Sequence, residues 1–527
     1  MRRASLVLLL ATTACSMTPK LTLPAPPVDH AYPVADGTEA LPEWPGMFGD
    51  PRLQRLIALS LDSNRDLRIA ALNAEATYAQ LRVQRAQALP AVSAEGSYGR
   101  QRQPSSVAGA GVGLAPGGGA TGFEFGQFAA QAALTSFELD LFGRVRAMKA
   151  AALQRWLASV QSRRAVRLAV IGAVAEAYWN ERLAEEQLTL ARVMLEDWQA
   201  SLEITRLRRA AGQASGVDLA QAEGQVRQAR ADLAQRERER LQATNALTLA
   251  VGAPLPADLP PALSLLDQPT RTALTAGAPS DLLMRRPDIA QAEHELRAAN
   301  ADIGAARAAF FPRVSLTGAF GFASLALDSL FRGANRSWSY TPAISVPIFR
   351  GGELRGTLDL ARLRASSAVA TYEKAIQNGF REIADGLAAQ ATYAAQRTEQ
   401  RAAVVAAEHR TALAAMAYAA GQTSRLDLLD AQRTTYAARQ AALVVRRDQL
   451  AASAALYRAL GGDMGFGKVD RLPTATIRCA RQRGGPRRSL RVRTACPEPK
   501  QAPARMRRGL LRCLVAGAGT INAKSSP

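Results

Sequence analysis

The stretch AAGQASGVDLAQAE fills residues 210–223, and AAGQTSRLDLLDAQ fills residues 419–432. Eight of the fourteen positions are identical, 209 residues apart. Gly212 and Gly421 suit the left-handed backbone that ends a helix. Ser215 and Ser424, with Asp218 and Asp427 three residues on, carry the capping-box pattern that opens the next one. Each stretch therefore predicts a corner between two antiparallel helices. Capping chemistry leaves Asp430 unexplained; it lies three residues past Asp427 and so on much the same helical face.

The helices around these corners are predicted to be very long. None of the 27 prolines falls within residues 143–253 or 348–472, runs dominated by Ala, Leu, Arg, Gln and Glu, all good helix formers. A continuous helix over residues 143–211 would span on the order of 100 Å, with Gly172 as a candidate break.

The repetition extends beyond the corners. Residues 64–99 lie over residues 286–321 at a constant offset of 222, matching Asp66 with Asp288, Arg85 with Arg307 and Pro90 with Pro312. Downstream the offset is 209, from Gly143 and Gly352 to Gly252 and Gly461. This is a tandem duplication. Repeat 1 covers residues 50–252 and repeat 2 residues 279–462, joined by a proline-rich linker at 253–278.

Between the short and long helices of each repeat the period changes to two. In PRVSLTGAFGF, Val314, Leu316, Phe320 and Phe322 alternate with Arg313, Ser315, Thr317 and Gly321. Trp338, Tyr340, Ile344, Val346 and Ile348 alternate with Ser337, Ser339, Thr341, Ala343 and Ser345. Strands are expected at about 90–102, 123–142, 312–324 and 336–349, with Gln127 and Gln131 interrupting the apolar set of the second. The pattern suits strands with one face in lipid. A soluble β-sandwich resting on helices is the alternative. Four strands cannot close a barrel, and lipid does not tolerate open edges. Two chains would give eight strands, a barrel filled by its own side chains; three would give twelve and room for a conduit.

Composition narrows the field. Lys and Arg outnumber Asp and Glu by 66 to 45, but residues 471–527 hold 14 of the basic residues and one acid, Glu498. The body is only mildly basic and needs no nucleic-acid partner. Three of the four cysteines (Cys479, Cys496, Cys513) lie in that tail, the histidines His30, His294 and His409 are scattered, and no cluster has metal-ligand spacing. No nucleophile motif or phosphate-binding loop is present, so neither an enzyme nor a cofactor is expected. The tail, residues 463–527, reads as a disordered extension or an out-of-frame product.

The start, MRRASLVLLLATTACS, reads as a secretory signal over residues 1–14, because its apolar run is too short to span a membrane. Its cysteine resembles that of a bacterial lipoprotein, which makes Cys15 the expected acylation site, although Thr12 stands where leucine is usual. Residues 15–49 form a proline-rich tether.

ELDLFGR (138–144), RRPDI (285–289), AAFFPRVSL (308–316), the run DSLFRGANRSWSYTPAISVPIF (328–349) and VPIFRGGELR (346–355) resemble TolC-type outer-membrane factors. The lipoprotein start resembles their NodT/OprM-like branch, the exit ducts of RND drug-efflux pumps. The resemblance implies a mainly α protein with membrane β: a homotrimer whose twelve-stranded outer-membrane barrel, four strands per chain, continues into a long periplasmic α-helical barrel. It implies an adaptor protein and an inner-membrane RND transporter as partners, and outer-membrane lipid as surroundings. It places the periplasmic gate at Asp427 and Asp430, with Asp218 as the first repeat's counterpart and Gln221 where Asp430 would map. The corner tips Gly212, Ser215, Gly421 and Ser424 would meet the adaptor. A type I secretion duct would use the same channel and is the second reading; a soluble periplasmic coiled-coil scaffold is a third.

Overall fold

The computed structural model describes residues 16–28, 41–103, 123–275 and 285–462. Cys15 and residues 463–527 lie outside them. In chain order the elements are α1 (Trp44–Met47), α2 (Pro51–Ser63), α3 (Arg65–Ala86), β1 (Val92–Gln103), β2 (Phe123–Leu139), α4 (Arg144–Ala210) and α5 (Gly216–Val251). Then follow α6 (Pro287–Ala308), β3 (Arg313–Ser324), β4 (Arg336–Ser345), α7 (Glu353–Ala419) and α8 (Arg425–Ala459).

The duplication is visible in the lengths. Helices α3 and α6 each have 22 residues, and α4 and α7 each have 67. At 1.5 Å per residue the latter are about 100 Å long. Gly172 does not break α4, contrary to the sequence expectation. A mid-helix glycine costs about 1 kcal/mol, and its neighbours Ile171, Val174 and Ala175 are buried in the main core, which holds the helix through it.

That core sits midway along the long helices. It joins Val170–Trp179 of α4, Ile383 and Leu387 of α7, the C-terminal ends of α5 and α8, and Leu53, Leu56 and Ile57 of α2. Phe48 packs on Trp179 and Tyr457 at 6.0 and 6.1 Å between ring centres. Fully burying side chains of this size contributes about 1.5–3 kcal/mol each. One carboxylate is enclosed there. Asp50 caps α2 through Arg52 N–H at 2.8 Å, and accepts from Tyr178 Oη at 2.7 Å and Gln268 Nε2 at 2.9 Å. The linker residue Gln268 is thereby tied to both the N-terminal segment and α4.

The four strands form one antiparallel sheet in the order β1-β2-β3-β4, with β1 and β4 at its edges. Register assigns the faces, because directly opposed residues share a side. Tyr98 faces Phe128, Phe320 faces Ala132 and Trp338, and Val314 faces Leu139 and Ile344. On the other side Glu95 faces Gln131, Gly99 faces Gln127, and Thr317 faces Thr341. Gln127 and Gln131 therefore do not interrupt the apolar set: they belong to the polar face. The sequence pattern of β2 is confused by a bulge. Leu134 pairs with Gly318 but Phe137 with Leu316, so β2 carries one extra residue there, where Ser136 has φ 45°. The bulge switches parity, which keeps Phe137 and Leu139 on the apolar face and Glu138 on the polar one. Strand β4 ends at Ser345, just before Pro347, which has no N–H to donate.

Trp338, Tyr340 and Ile344 are 67%, 68% and 71% exposed on this apolar face, and Trp338 stacks on Tyr340 at 5.9 Å. Among the described residues no helix is long and apolar enough to cross a membrane.

At each strand-to-helix junction a left-handed glycine turns the chain: Gly143 (φ 77°) before α4 and Gly352 (φ 88°) before α7. In the first repeat Asp140 accepts from Val145 N–H at 3.2 Å and Arg146 N–H at 2.8 Å, capping α4. Arg144 chelates Glu138, with Nε donating at 2.9 Å. All four helix junctions lie at one end of the sheet, and the β3–β4 connection lies at the other.

Candidate functional site

Both quoted stretches form the corners their residues predict. Gly212 and Gly421 have φ of 73° and 72°. Gln213 N–H donates to Arg208 O at 2.7 Å and Gln422 N–H to Ala417 O at 2.8 Å, closing each helix end in the same way. Ser215 and Asp218, and Ser424 and Asp427, make complete capping boxes. Hydrogen bonds from the box serine are the main reason that both carboxyls sit below the usual carboxylate range; Asp427 also accepts from Thr423 Oγ1 at 2.8 Å. Gly212, Ser215, Gly421 and Ser424 are exposed, as are Asp427 and Asp430.

Asp430 is not a solitary acid. Arg410 of α7 donates to it through Nη2 at 2.6 Å and to Thr434 Oγ1 at 3.4 Å. At the next residue of each helix, the hydroxyls of Thr411 and Thr435 are 2.8 Å apart. This ladder joins the two helices of the second hairpin.

A second set of residues joins the hairpins to each other. Arg425, the first residue of α8, donates Nη2 to Ser201 O at 3.2 Å and Ser201 Oγ at 2.8 Å, and Nη1 to Thr205 Oγ1, all on α4. Its charge also favours the ionised form of Asp218. Arg208 of α4 lies over the Tyr418 ring at 5.0 Å and donates to its hydroxyl. Tyr436 of α8 donates to Asp232 of α5 at 2.7 Å; burial first, then this bond, pushes the phenol up to about 12. Apolar support is thin by comparison. Leu429 enters a cluster of Trp198, Leu202, Ala222, Val226 and Ala229, six buried side chains against two dozen in the main core.

The sequence reading found the caps and the acids but missed Arg410, Arg425, Arg208 and Tyr418. A signal was present in the register of the repeats. At offset 209, Arg410 lies over Ser201, Arg425 over Gly216 and Asp430 over Gln221. The residues that lock the second hairpin are those in which the copies differ.

An apolar-faced sheet with two unpaired edges, continuous with rods of about 100 Å that end in polar corners, defines a subunit of an outer-membrane channel with a helical duct. Comparison with known proteins gives the family. The profile of the outer membrane efflux protein family matches residues 56–253 and 278–462, and the chain belongs to that family. It is 42% identical over 470 residues to the probable efflux pump outer membrane protein TtgC of Pseudomonas putida, covering 86% of this chain and 95% of that one. Its fold matches the crystal structure of a membrane protein from Pseudomonas aeruginosa with a TM-score of 0.77 at 40% identity, covering 85% of this chain and all of that one. The open-state structure of the MtrE outer membrane channel of Neisseria gonorrhoeae matches with a TM-score of 0.76 at 37% identity, over 85% of this chain and 98% of that one. The protein is an outer-membrane efflux channel.

Proposed function

We propose that three copies of this chain form the exit duct of a tripartite RND-type efflux pump, which conducts drugs or other small molecules passively from periplasm to exterior. The observation that carries this reading is the four-stranded sheet with an apolar outer face and two open edges. Pairing β4 of one protomer with β1 of the next removes every edge, and three copies make a twelve-stranded barrel wide enough to conduct. The paired long helices then continue the barrel into the periplasm.

The corners form the periplasmic end. In this reading the ladder of Arg410 and Asp430 stiffens the second hairpin, while Arg425 and the Arg208–Tyr418 pair hold it against the first. Opening moves one hairpin away from the other, and the thin apolar cluster at that level makes this the cheapest place to part them. The exposed tips Gly212, Ser215, Gly421 and Ser424 receive the adaptor, whose contact replaces the clasp. Three copies each of Asp427 and Asp430 form acidic rings at the constriction that favour cations, with Asp430 tempered by its arginine.

The anchor fits the same orientation. Asn300 Nδ2 donates to Pro19 O at 2.9 Å, and an added Cβ on Gly304 would come within 2.2 Å of Thr18 Oγ1. Leu21 and Val28 pack further back along α6, beside Ile289 and Leu296. The segment thus runs from the strand end of α6 toward its start, the direction expected of a tether that leads away from a membrane anchor.

The test is complementation in a strain lacking its own outer-membrane efflux channel but holding a matched adaptor and RND transporter. Restored drug export, with threefold particles in electron micrographs, supports the proposal. Restored protein secretion with a type I transporter, and no drug export, would instead support the secretion duct. Deleting either corner should abolish export and leave the trimer intact.

A further inference from the structure

The apolar face of the sheet changes character toward its outer end. On that face β1 runs Val92, Ala94, Gly96, Tyr98 and then Arg100 and Arg102, while β4 starts with Arg336 before Trp338 and Tyr340. Glu124 shares the face and pairs with Arg100 at 3.0 Å. These residues lie at the end that carries the β3–β4 connection, away from the helices. The β3–β4 connection adds one residue of each sign, Asp328 and Arg332. Among the described residues the outer end therefore has a surplus of two positive charges per chain. The remaining strand arginine, Arg313, sits on the polar face at the opposite end.

An arginine on the lipid side of a barrel costs about 2–4 kcal/mol at the bilayer centre and about 0–1 near the interface. Three of the four strand arginines nonetheless take the lipid side, all at its outermost positions. That placement puts them among headgroups.

The surface beside Arg336 is hollowed. Arg336 shares a register row with Phe322, Ala130 and Gly96. Gly96, Ala130 and Ala132 floor a groove walled by Phe320, Phe322 and Phe331. Phe331 comes from the β3–β4 connection and meets Phe322 edge-on at 5.6 Å, yet stays 71% exposed.

Guanidinium groups above an aromatic-walled apolar groove suit one ligand chemistry, a phosphorylated lipid. Phosphates take paired N–H donors from arginine, and a single acyl chain fits between phenyl rings over a floor of small residues. The outer leaflet of a bacterial outer membrane is made of phosphorylated glycolipid. We propose that each chain holds one such glycolipid, with Arg100, Arg102 and Arg336 on its phosphates and an acyl chain in the Phe320–Phe322–Phe331 groove. The proposal rests on the channel reading above. If β4 pairs with β1 of the next protomer, the start of β4 meets the end of β1, so Arg336 of one chain and the Arg100–Arg102 end of its neighbour grip one headgroup across the seam. The lipid then staples the joint between protomers.

The test uses the full-length protein purified from outer membranes in detergent, with native mass spectrometry and melting curves. The probes are diphosphorylated lipid A, its dephosphorylated form and inorganic phosphate. Diphosphorylated lipid A should stay bound and raise Tm, while the other two should do neither. The variant R100Q/R102Q/R336Q should bind it about tenfold or more weakly, a loss of at least one strong contact. Filling the groove with Ala130→Leu should weaken it as well, and Arg313→Gln should not. An equal response to dephosphorylated lipid A, or to inorganic phosphate alone, would overturn the proposal, and either comparison needs only the unmutated protein. So would unchanged binding by the triple arginine variant. Threefold particles and export by the unmutated protein report on the channel reading separately.

Discussion

The two corners of this chain are built alike and locked differently. Both have the same left-handed glycine, the same helix closure and the same Ser–Asp capping box. Each has an ion pair across its helices, but Arg206 and Glu223 of the first stand 3.6 Å apart, while Arg410 and Asp430 of the second are hydrogen-bonded at 2.6 Å. Each also sends an arginine onto the other, Arg208 onto Tyr418 and Arg425 onto Ser201 and Thr205. The positions of the first corner that match Arg410, Asp430 and Arg425 are Ser201, Gln221 and Gly216. Duplication supplied two turns of one geometry, and divergence gave each its own contacts. Ser201 makes this plain: it occupies the place of Arg410 in the first copy and is there the acceptor for Arg425.

The substitution expected to break this asymmetry most is Arg425→Glu. Hydrogen bonds to a charged group contribute about 1.5–3 kcal/mol each. Losing those to Ser201 and Thr205, and setting an acid beside Asp218, should cost the closed state about 2 kcal/mol per chain, a factor of roughly 30. Planar-bilayer conductance should rise several-fold, and cells should become sensitive to large hydrophilic antibiotics. Unchanged conductance would remove Arg425 from the closed state.

Next in size are the caps, where the corners should respond equally. Ser215→Ala and Ser424→Ala should each cost about 1 kcal/mol, read as faster hydrogen exchange in the first turns of α5 and α8. A loss at one corner only would show that the shared geometry hides unequal roles.

A smaller effect on stability, but opposite signs on selectivity, is expected from the ion pair. The pair is half exposed and contributes about 0.2–1 kcal/mol. Arg410→Ala should raise cation selectivity by freeing Asp430, and Asp430→Asn should lower it. Building the pair into the first corner with Ser201→Arg and Gln221→Asp should narrow the contrast, and it also removes the Ser201 hydroxyl that Arg425 uses. Reversal potentials in a salt gradient measure all three.

The smallest effect is that of pH. Asp218 and Asp427 are held below the ordinary carboxylate range by their cap hydrogen bonds. Their stabilisation is therefore complete above the unfolded value, about 3.9, and fades as pH falls through the lower folded values. Exchange at the corners, corrected for intrinsic rates, should be flat from pH 8 to pH 5 and rise together at both corners below about pH 4.

Much of this was legible in the sequence, for physical reasons. Long proline-free runs, glycine at the corners and Ser-x-x-Asp are local signals, and local signals survive without knowledge of partners. The alternation of β3 is equally plain. Strand β2 was harder because its bulge changes parity at Ser136, so no single period fits Phe123–Leu139. The clasp was not legible because its members are far apart in sequence. Arg425 and Ser201 are separated by 224 residues, and nothing near either of them announces the other. The carboxylate Asp50 was hidden likewise: its partners Tyr178 and Gln268 lie 128 and 218 residues away.

The extra residue in β2 couples two ends of the molecule that otherwise have little to do with each other. Loss of the single codon for Ser136 would leave the strand intact but turn its last segment over. Phe137 and Leu139 would then swing into the water-filled interior, and Glu138 would be driven among acyl chains and torn from Arg144 at the head of the 67-residue helix. One deletion of three nucleotides, more than 70 residues from the corner at Gly212, would so redirect the helix that leads to that corner.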